Sequence, residues 1–272
     1  MPLEAPFAEL HAFPDGDRPH SGNPAALMLL EAYLPDADLL GLARSSNLSE
    51  TAFLVPRGDD AWQLRWFTPG HEVDLCGHAT MASAVWLFET GRVAGEAVHF
   101  ATRSGELVVR REGGAYAMDF PAVGCEPTQT RPDIAEALGV TPRESHRIAR
   151  VHGSPYELHV LGSEAEVAGL APDFSALART GTNVVVSAAP AESAEIVSRF
   201  FCPAAGIDED PVTGSAHCTL GPFWAERLGK ARLAARQIGP RPGSLEVETK
   251  GERVLLRGTA RRFVDGLVHL PA

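Results

Sequence analysis

The sequence predicts an α+β protein of two homologous lobes, each a curved β-sheet around a central helix. A five-residue pattern of arginine, an aromatic residue, phenylalanine, any residue and proline occurs once in each half of the chain, at residues 65–69 and 199–203. Each copy is followed by an acidic stretch, a turn of small residues (76–80 and 213–217), and apolar residues at helical spacing. Because three features recur in the same order, we favour an internal duplication over two unrelated matches to a short motif.

The central helix predicted for the first lobe, residues 79–89, is apolar or small on nearly every face. This composition is typical of a helix that is buried on all sides, so a sheet is expected to wrap around it. Short runs rich in valine, phenylalanine and leucine surround both predicted helices and indicate strands with turns between them. They are AFLVP, AVHFA, ELVVRR, YAMDF, NVVVSA, SLEVE and RVLLRG.

The connection between the lobes is expected at residues 121–127, where proline, glycine and cysteine interrupt the pattern. A chain of 272 residues is long for one core and ordinary for two domains. We therefore predict an N-terminal lobe at residues 1–120 and a C-terminal lobe at residues 128–272. The last strand is expected to pack back on the N-terminal lobe.

The composition excludes several classes of partner. A formal net charge of -11 disfavours nucleic acid and anionic membrane surfaces. The chain begins with acids and prolines rather than a secretory signal, and it lacks the ~18 unbroken apolar residues of a spanning helix, so we expect a cytoplasmic protein. The four cysteines form neither a C-x-x-C pair nor a regular framework, which predicts reduced thiols.

Both predicted helices start at a glycine, Gly77 or Gly214, that is followed by a polar residue. A glycine lets a ligand approach the backbone closely, and the unpaired N–H groups of the first turn attract an anion. Duplicated lobes would bring the two starts together around a small anionic molecule. The alternative is that Thr80, Thr213 and Ser215 merely cap their helices.

Glu50 is the first candidate for acid–base chemistry. In an extended chain it lies on the same face as Ala52 and Leu54, and such an apolar face raises the pKa of a carboxyl group by desolvation. A raised pKa suits general acid–base catalysis. The alternatives are a glutamate that turns to solvent, or one that pairs with Arg44 or Arg65.

Two other polar residues have simple structural alternatives. Asp210 stands three residues before Thr213 and could complement the dipole of the following helix. His78 could be a core histidine bonded to a backbone carbonyl. A metal site of His71, Cys76 and His78 is a weak interpretation, because zinc sites usually have closer repeated ligand pairs and no second cluster completes the set. We therefore predict no metal.

Five segments resemble the PhzF-like family of phenazine biosynthesis proteins. They are SGNPAALM at 21–28, NLSETAFL at 47–54, LRWFTPGHEVDLCGHAT at 64–80, EDPVTGSAHCTLGPFW at 209–224 and QIGPRPG at 237–243. The resemblance spans nearly the whole chain, and the motifs taken together are highly specific.

This resemblance implies the diaminopimelate epimerase-like fold, with two pseudo-symmetric lobes, each a barrel-like sheet around a central helix, and an active site in the cleft between them. It also implies a small anionic substrate, no metal or organic cofactor, and a homodimer. In the phenazine pathway member a glutamate shifts a proton on trans-2,3-dihydro-3-hydroxyanthranilate, and Glu50 matches it. His78 and Asp210 are implied as further catalytic groups. The implied substrate-binding residues are Asn23, Cys76, Gly77, Thr213, Gly214 and Ser215.

The sequence departs from the related racemases at one position. Those enzymes place a cysteine before the glycine of each helix start. Cys76 fits the first position, whereas Thr213 occupies the second, and its hydroxyl is far too weak an acid to replace a thiol. Cys76 can also be interpreted as a small buried residue beneath the loop.

Our leading hypothesis is a cofactor-independent isomerase in which Glu50 moves a proton on a small carboxylate-bearing metabolite. One alternative is an amino-acid racemase or epimerase that uses Cys76. The other is a non-catalytic protein that binds a small molecule in the same cleft.

Overall fold

The computed structural model describes residues 3–149 and 155–270, which form eighteen strands and six α-helices. The chain divides into two compact units. Unit 1 comprises Met1–Pro14, Ser21–Asp119 and Arg257–Ala272, and unit 2 comprises Asp15–His20 and Phe120–Leu256. Unit 1 therefore includes the C-terminal strand. No helix in the described part of the chain is long and apolar enough to cross a membrane.

Unit 1 is built on a mixed sheet. Its strands are β1 (Leu3–Ala12), β2 (Asn23–Leu29), β3 (Glu50–Gly58), β4 (Ala61–Phe67), β5 (Glu72–Val73), β6 (Ala97–Thr102), β7 (Gly105–Glu112), β8 (Ala115–Pro121) and β18 (Ala260–Leu270). β1 pairs antiparallel with β18 and β2, β2 pairs in parallel with β3, and β3 pairs antiparallel with β4. β4 pairs antiparallel with β5 and in parallel with β6, and antiparallel pairing continues through β7 to β8. The helices are α1 (Asp36–Ser46) and α2 (Gly77–Glu89).

Unit 2 repeats this arrangement. Its strands are β9 (Cys125–Thr128), β10 (Glu144–Ile148), β11 (Tyr156–Val160), β12 (Asn183–Ala188), β13 (Ile196–Cys202), β14 (Ile207–Asp210), β15 (Arg232–Gln237), β16 (Gly243–Lys250) and β17 (Arg253–Gly258). β10 pairs antiparallel with β9 and β11, β11 pairs in parallel with β12, and β12 pairs antiparallel with β13. β13 pairs antiparallel with β14 and in parallel with β15, which pairs antiparallel with β16. The helices are α3 (Pro132–Leu138), α4 (Glu164–Ala168), α5 (Phe174–Thr180) and α6 (Gly214–Leu228).

The order and sense of the pairings from β1 to β7 recur from β10 to β16, which confirms the predicted duplication. The arginine of each repeated motif forms an ion pair with a glutamate that follows it in the sequence. Arg65 donates hydrogen bonds of 2.7 and 2.6 Å to the two carboxylate oxygens of Glu72, and Arg199 donates two of 2.7 Å to Glu209. Arg199 and Glu209 are ten residues apart in the sequence, whereas Arg65 and Glu72 are seven apart. The three additional residues of the second copy accompany a short 3-10 helix at Pro203–Ala205.

Helix α2 is the buried helix that the sequence predicted. Its residues 78–88 are all buried, and it packs against β1, β2, β3 and β18. Helix α6 packs against β15 and β16. Gly221 permits this contact, because a Cβ added there would lie 2.4 Å from Cγ1 of Val247.

Strand β3 is buried on both faces in its first half, so its burial does not alternate. Phe53 and Val55 belong to a core cluster with Leu39 of α1, and α2 also contacts β3. Because side chains alternate along a strand, Glu50 lies on the face opposite Phe53 and Val55. This parity directs Glu50 toward α2.

Candidate active site

Glu50 and His78 meet at the start of α2. Glu50 is the first residue of β3, and its side chain is 16% exposed. His78 is the second residue of α2 and is buried. Oε2 of Glu50 lies 3.3 Å from Nε2 of His78. The structure therefore brings together two residues that the sequence analysis had placed on separate elements.

The arginines considered as partners of Glu50 make other bonds. Nε of Arg44 donates to the carbonyl of Pro69 at 2.9 Å. Arg65 pairs with Glu72 and also with Asp36, at 2.8 Å. The contacts described for both arginines are therefore with other groups, and Glu50 lies beside the imidazole of His78.

Burial lowers the pKa of His78 from 6.5 to about 3, and a hydrogen bond with the backbone of Pro24 offsets only part of this effect. The imidazole is therefore neutral at neutral pH. This neutral imidazole lies beside the carboxylate of Glu50.

Asn23 contacts the other ring nitrogen of His78. Nδ2 of Asn23 lies 3.1 Å from Nδ1 of His78, and its Oδ1 accepts from Oγ of Ser49 at 3.3 Å. With Nδ2 as the donor, Nδ1 accepts and the single imidazole proton sits on Nε2, facing Glu50. Asn23 follows Gly22, where φ is +82° and an added Cβ would lie 2.7 Å from a backbone oxygen, so only glycine fits.

Cys76 is the third member of this cluster. It is buried, and its Sγ lies 3.5 Å from Nδ1 of His78. Donor atoms of Glu50, Cys76 and His78 all lie within 4.8 Å of one another, a grouping that could hold a metal ion, whereas His71 bonds to Thr68 instead. Sγ of Cys76 and Oε2 of Glu50 lie 4.0 and 3.3 Å from Nε2 of His78, separations that two ligands of one ion can have.

The start of α6 has a different chemistry. Oγ1 of Thr213 donates to Oδ2 of Asp210. Gln237, which is 1% exposed, accepts from the backbone N–H of Thr213 at 2.9 Å and donates to the carbonyl of Asp210. Gln237 therefore holds the turn that carries both residues. Gln237 begins the segment QIGPRPG, for which the sequence predicted no role. A buried glutamine has no sequence signal that distinguishes it from an exposed one.

The remaining predicted residues of this helix start are adjacent in the chain. Gly214 is the first residue of α6 and is buried, whereas Ser215 is exposed. Tyr156, on β11, lies near this helix start: burial raises the pKa of its hydroxyl, and interactions with the side chains of Asn183 and Ser215 lower it in part. Tyr156 was not among the residues that the sequence analysis selected.

Capping does not explain the two helix starts. The N-cap residues are Cys76 and Thr213, and within the described residues neither makes a side-chain capping bond. Oγ1 of Thr80 donates to the carbonyl of Cys76 at 2.6 Å, and the hydroxyl of Thr213 donates to Asp210. The capping alternative is therefore wrong for Thr80 and Thr213, and no capping side chain competes with a ligand for the first N–H groups.

Comparison with known proteins agrees with this architecture. A family model described as phenazine biosynthesis-like protein matches residues 10–266. An uncharacterized isomerase of Pseudomonas aeruginosa is 47% identical over 268 residues, which cover 98% of this chain and 100% of that protein. The crystal structure of a PhzF-family phenazine biosynthesis protein from Enterococcus faecalis is 42% identical, with a TM-score of 0.90 over 98% of this chain and 100% of that one.

A more distant structure defines the fold class. A probable proline racemase from Agrobacterium radiobacter has a TM-score of 0.64 at 13% identity, covering 98% of this chain and 93% of that one, and shows the fold alone. The chain is thus an isomerase with the diaminopimelate epimerase-like α+β fold, as the sequence predicted. It belongs to the PhzF-like, phenazine biosynthesis-like family. This membership favours the enzyme hypotheses over a non-catalytic binding protein.

Proposed function

We propose that the chain is a cofactor-independent isomerase that shifts a proton on a small carboxylate-bearing metabolite, with Glu50 as general base and then general acid. One observation carries the proposal. Oε2 of Glu50 lies 3.3 Å from Nε2 of His78, and that imidazole is buried and neutral.

Glu50 and His78 divide the work in the proposed reaction. The carboxylate of Glu50 takes a proton from an activated C–H bond, and the electron pair of that bond moves into the adjacent π-system. The carboxylic acid so formed returns the proton to another carbon of the same system. His78 does not compete for the proton because burial disfavours its cationic form. It instead lies beside the carboxylate as a neutral side chain, with Nε2 at 3.3 Å from Oε2 of Glu50 and Nδ1 at 3.1 Å from the amide of Asn23.

Substrate binding is assigned to the helix starts. The first N–H groups of α2, beginning at Gly77, are suited to the carboxylate of the substrate. We assign the orientation of its other polar groups to Asp210, Gly214 and Ser215, with Thr213 as the hydrogen-bond donor that positions Asp210. On the sequence and the family resemblance we also propose a cytoplasmic homodimer.

The test has two steps. A library of small carboxylic acids that includes trans-2,3-dihydro-3-hydroxyanthranilate is screened for compounds that raise Tm. Each such compound is then incubated with the enzyme in deuterated water and followed by NMR. The proposal expects an isomerised product that has gained deuterium at a carbon-bound position.

Glu50→Gln should lower this exchange about 10²–10⁴-fold, since an amide cannot accept the proton. Glu157→Gln is the matched control, because Glu157 is also buried and its Oε2 lies 3.4 Å from Nε2 of a histidine, His159. The control should keep full activity. Full turnover by Glu50→Gln on an identified substrate would refute the proposal.

One observation favours a second candidate, amino-acid racemisation or epimerisation. Sγ of Cys76 lies 3.5 Å from Nδ1 of His78, where an imidazole could assist a thiol. The equivalent residue before α6 is Thr213, so this reaction would need another acid for the opposite face of the substrate. Exchange of an amino-acid α-proton that is abolished by Cys76→Ser and by thiol alkylation would establish racemisation in place of the Glu50 reaction.

A further inference from the structure

Strand β11 carries a buried glutamate and a buried histidine, Glu157 and His159, that the proposed reaction does not use. We infer that this pair is a zinc site, in which Oε2 of Glu157 and Nε2 of His159 bind one tetrahedral ion and water molecules complete its coordination. The inference does not depend on the proposed function, because both ligands belong to unit 2, whereas Glu50 and His78 belong to unit 1.

The pair on β11 differs from two others of the same spacing. The sequence contains three glutamates that stand two residues before a histidine, and all three pairs lie on strands, where such residues share a face. On β1, Nε2 of His11 lies 2.8 Å from Oε1 of Glu9, and on β10, Nε2 of His146 lies 3.0 Å from Oε2 of Glu144, each in a hydrogen bond. The corresponding atoms on β11 are 3.4 Å apart and are not hydrogen-bonded to each other.

Both atoms of the third pair are buried without a partner. The side chain of Glu157 is 8% exposed and that of His159 is 0% exposed. Neither Oε2 of Glu157 nor Nε2 of His159 has a hydrogen-bond partner among the residues that the structure describes. Buried polar atoms are costly to leave unpaired, so a ligand that bonds to both atoms at once would be strongly favoured.

Ser145 holds the imidazole from its other side. Oγ of Ser145, on the neighbouring strand β10, lies 2.9 Å from Nδ1 of His159 and 2.7 Å from Oγ1 of Thr130. In the zinc site Nδ1 carries the proton and donates to Ser145, so Nε2 presents its lone pair to the ion. A hydrogen bond from the ring nitrogen that does not bind the metal accompanies almost every metal-binding histidine.

The separation of the two ligand atoms fits zinc. Zinc binds nitrogen and oxygen at about 2.0–2.2 Å in tetrahedral geometry, which places two of its ligands about 3.4 Å apart, and the separation here is 3.4 Å. Magnesium is octahedral with shorter bonds, so its neighbouring ligands lie only about 2.9 Å apart, and it prefers oxygen to the nitrogen of an imidazole.

Arg131 leaves the charge of Glu157 available to a cation. Its Nε and Nη2 donate to Asp133 at 3.1 and 2.6 Å, and its Nη1 donates to Thr182 at 2.9 Å. The bonds to Asp133 are the main reason that the pKa of Arg131 is raised, and the carboxylate of Glu157 contributes less. The guanidinium charge is therefore matched mainly by Asp133.

The zinc site lies on the face of the sheet opposite α6. Glu157 and His159 are in register with Val184 and Val186 of the parallel strand β12, which belong to a core cluster with residues of α3 and α5. The next residue of β12, Ser187, accepts a hydrogen bond of 2.9 Å from the indole of a tryptophan on α6. Because side chains alternate along a strand, the glutamate and histidine point away from α6. The site is therefore separate from the residues assigned to the substrate.

The inference is tested by calorimetric titration of the full chain with zinc chloride, after dialysis against EDTA and then against buffer without chelator. The unmodified chain should bind one zinc ion that is lost in Glu157→Gln and kept in Cys76→Ala. Ser145→Ala should weaken zinc binding about 10–100-fold, because it removes the bond that orients the histidine. Zinc should also raise the Tm of the unmodified chain and leave that of Glu157→Gln unchanged.

Glu144→Gln is the matched control. Glu144 also stands two residues before a histidine, on the strand next to β11, but its pair is already hydrogen-bonded. The control should leave zinc affinity unchanged. Cobalt(II) in place of zinc should give an absorption spectrum without the thiolate charge-transfer band that binding at Cys76 would add.

The inference is overturned if the chain binds no zinc, if Glu157→Gln binds zinc as tightly as the unmodified chain, or if Cys76→Ala alone removes the ion. If Glu157→Gln does not fold, Ser145→Ala decides the question, and unchanged affinity in that variant refutes the site. Deuterium exchange separates this result from the proposed reaction. Loss of zinc from Glu157→Gln with full exchange supports the site, and it leaves the reaction assigned to Glu50 as it stands.

Discussion

Nε2 of His78 lies 3.3 Å from Oε2 of Glu50, in a contact between a carboxylate and an imidazole that burial keeps neutral. In a dyad with a cationic histidine, the proton could reside on either partner. Here burial keeps the imidazole of His78 neutral, so in the proposed reaction the change of protonation state falls to Glu50.

Two buried histidines should make stability depend on pH. Burial lowers the pKa of His78 to about 3 and that of His217 to about 4, from 6.5. At pH 5 the unfolded chain therefore binds protons at these residues that the folded chain does not, so unfolding is favoured as the pH falls. The folded state therefore has its full stability, as far as these two histidines are concerned, above pH 6.5 and loses stability between pH 6.5 and about 3. Each histidine adds a slope of about 1.4 kcal/mol per pH unit within its window.

Urea denaturation between pH 4.5 and 7.5 measures this slope. His217→Gln should lower the pH dependence of the free energy of unfolding by the equivalent of about one proton. Comparison with the unmodified chain separates the contribution of His217 from that of the exposed histidines. An unchanged slope would contradict the assignment. The pH profile of kcat should also lack a limb near pH 6.5 from His78.

Asn23→Leu should impair catalysis through the tautomer of His78. The substitution removes the donor to Nδ1, and loss of one such bond corresponds to about a 10–100-fold fall in kcat with little change in KM. The 15N resonances of the imidazole should report a shift of the proton toward Nδ1. Ser49→Ala is the control, and its effect should be smaller because it removes only the 3.3 Å bond to Oδ1 of Asn23. An unaltered tautomer in Asn23→Leu would count against this role.

Arg199→Lys should destabilise the protein more than Arg65→Lys. Arg199 is the more buried of the two, at 7% against 17% side-chain exposure, and also donates to the carbonyl of Leu170 at 2.7 Å. Glu72, by contrast, keeps a second partner in Arg103, at 2.8 Å. We expect a loss of about 3 kcal/mol for Arg199→Lys and about 1 kcal/mol for Arg65→Lys, measured by denaturant unfolding. Equal losses would show that burial and second partners are unimportant here.

Removal of metal ions tests the interpretation of the cluster of Glu50, Cys76 and His78. Its donor atoms lie close enough to hold an ion, but the proton-transfer mechanism does not require one. After dialysis against EDTA, solvent deuterium exchange should be unchanged, and added zinc should not increase it. Loss of exchange on chelation with recovery on zinc addition would assign the cluster to a metal.

The predictions from sequence succeeded where a periodic or repeated pattern reflects burial. Helix α2 was predicted because its residues are apolar or small all round, and the structure buries it on all sides. The duplication was visible in the sequence because the same residue types recur around Arg65 and Arg199. Each arginine is followed by an aromatic residue on its own strand and pairs with an acid of the next strand. Such local requirements can be recognised in the amino-acid sequence.

The predictions were incomplete where a residue acts through a distant partner. The sequence placed Glu50 on an apolar face of β3, but it did not predict that helices contact this strand from both sides and bury all of residues 51–55. Gln237 had no signal in the sequence, because its importance comes from contacts with Asp210 and Thr213 that only folding creates.

The amino-acid sequence by itself determined the two-lobed α+β class, the family, and Glu50 and His78 as candidates, because strand parity, helix burial and motifs are properties of neighbouring residues. Only the tertiary structure decided that Glu50 lies beside a buried, neutral imidazole that Asn23 contacts, and that unit 2 repeats the strand pairing of unit 1. Burial, which sets the pKa of His78, and strand register, which aligns the two copies, both depend on segments far apart in the chain.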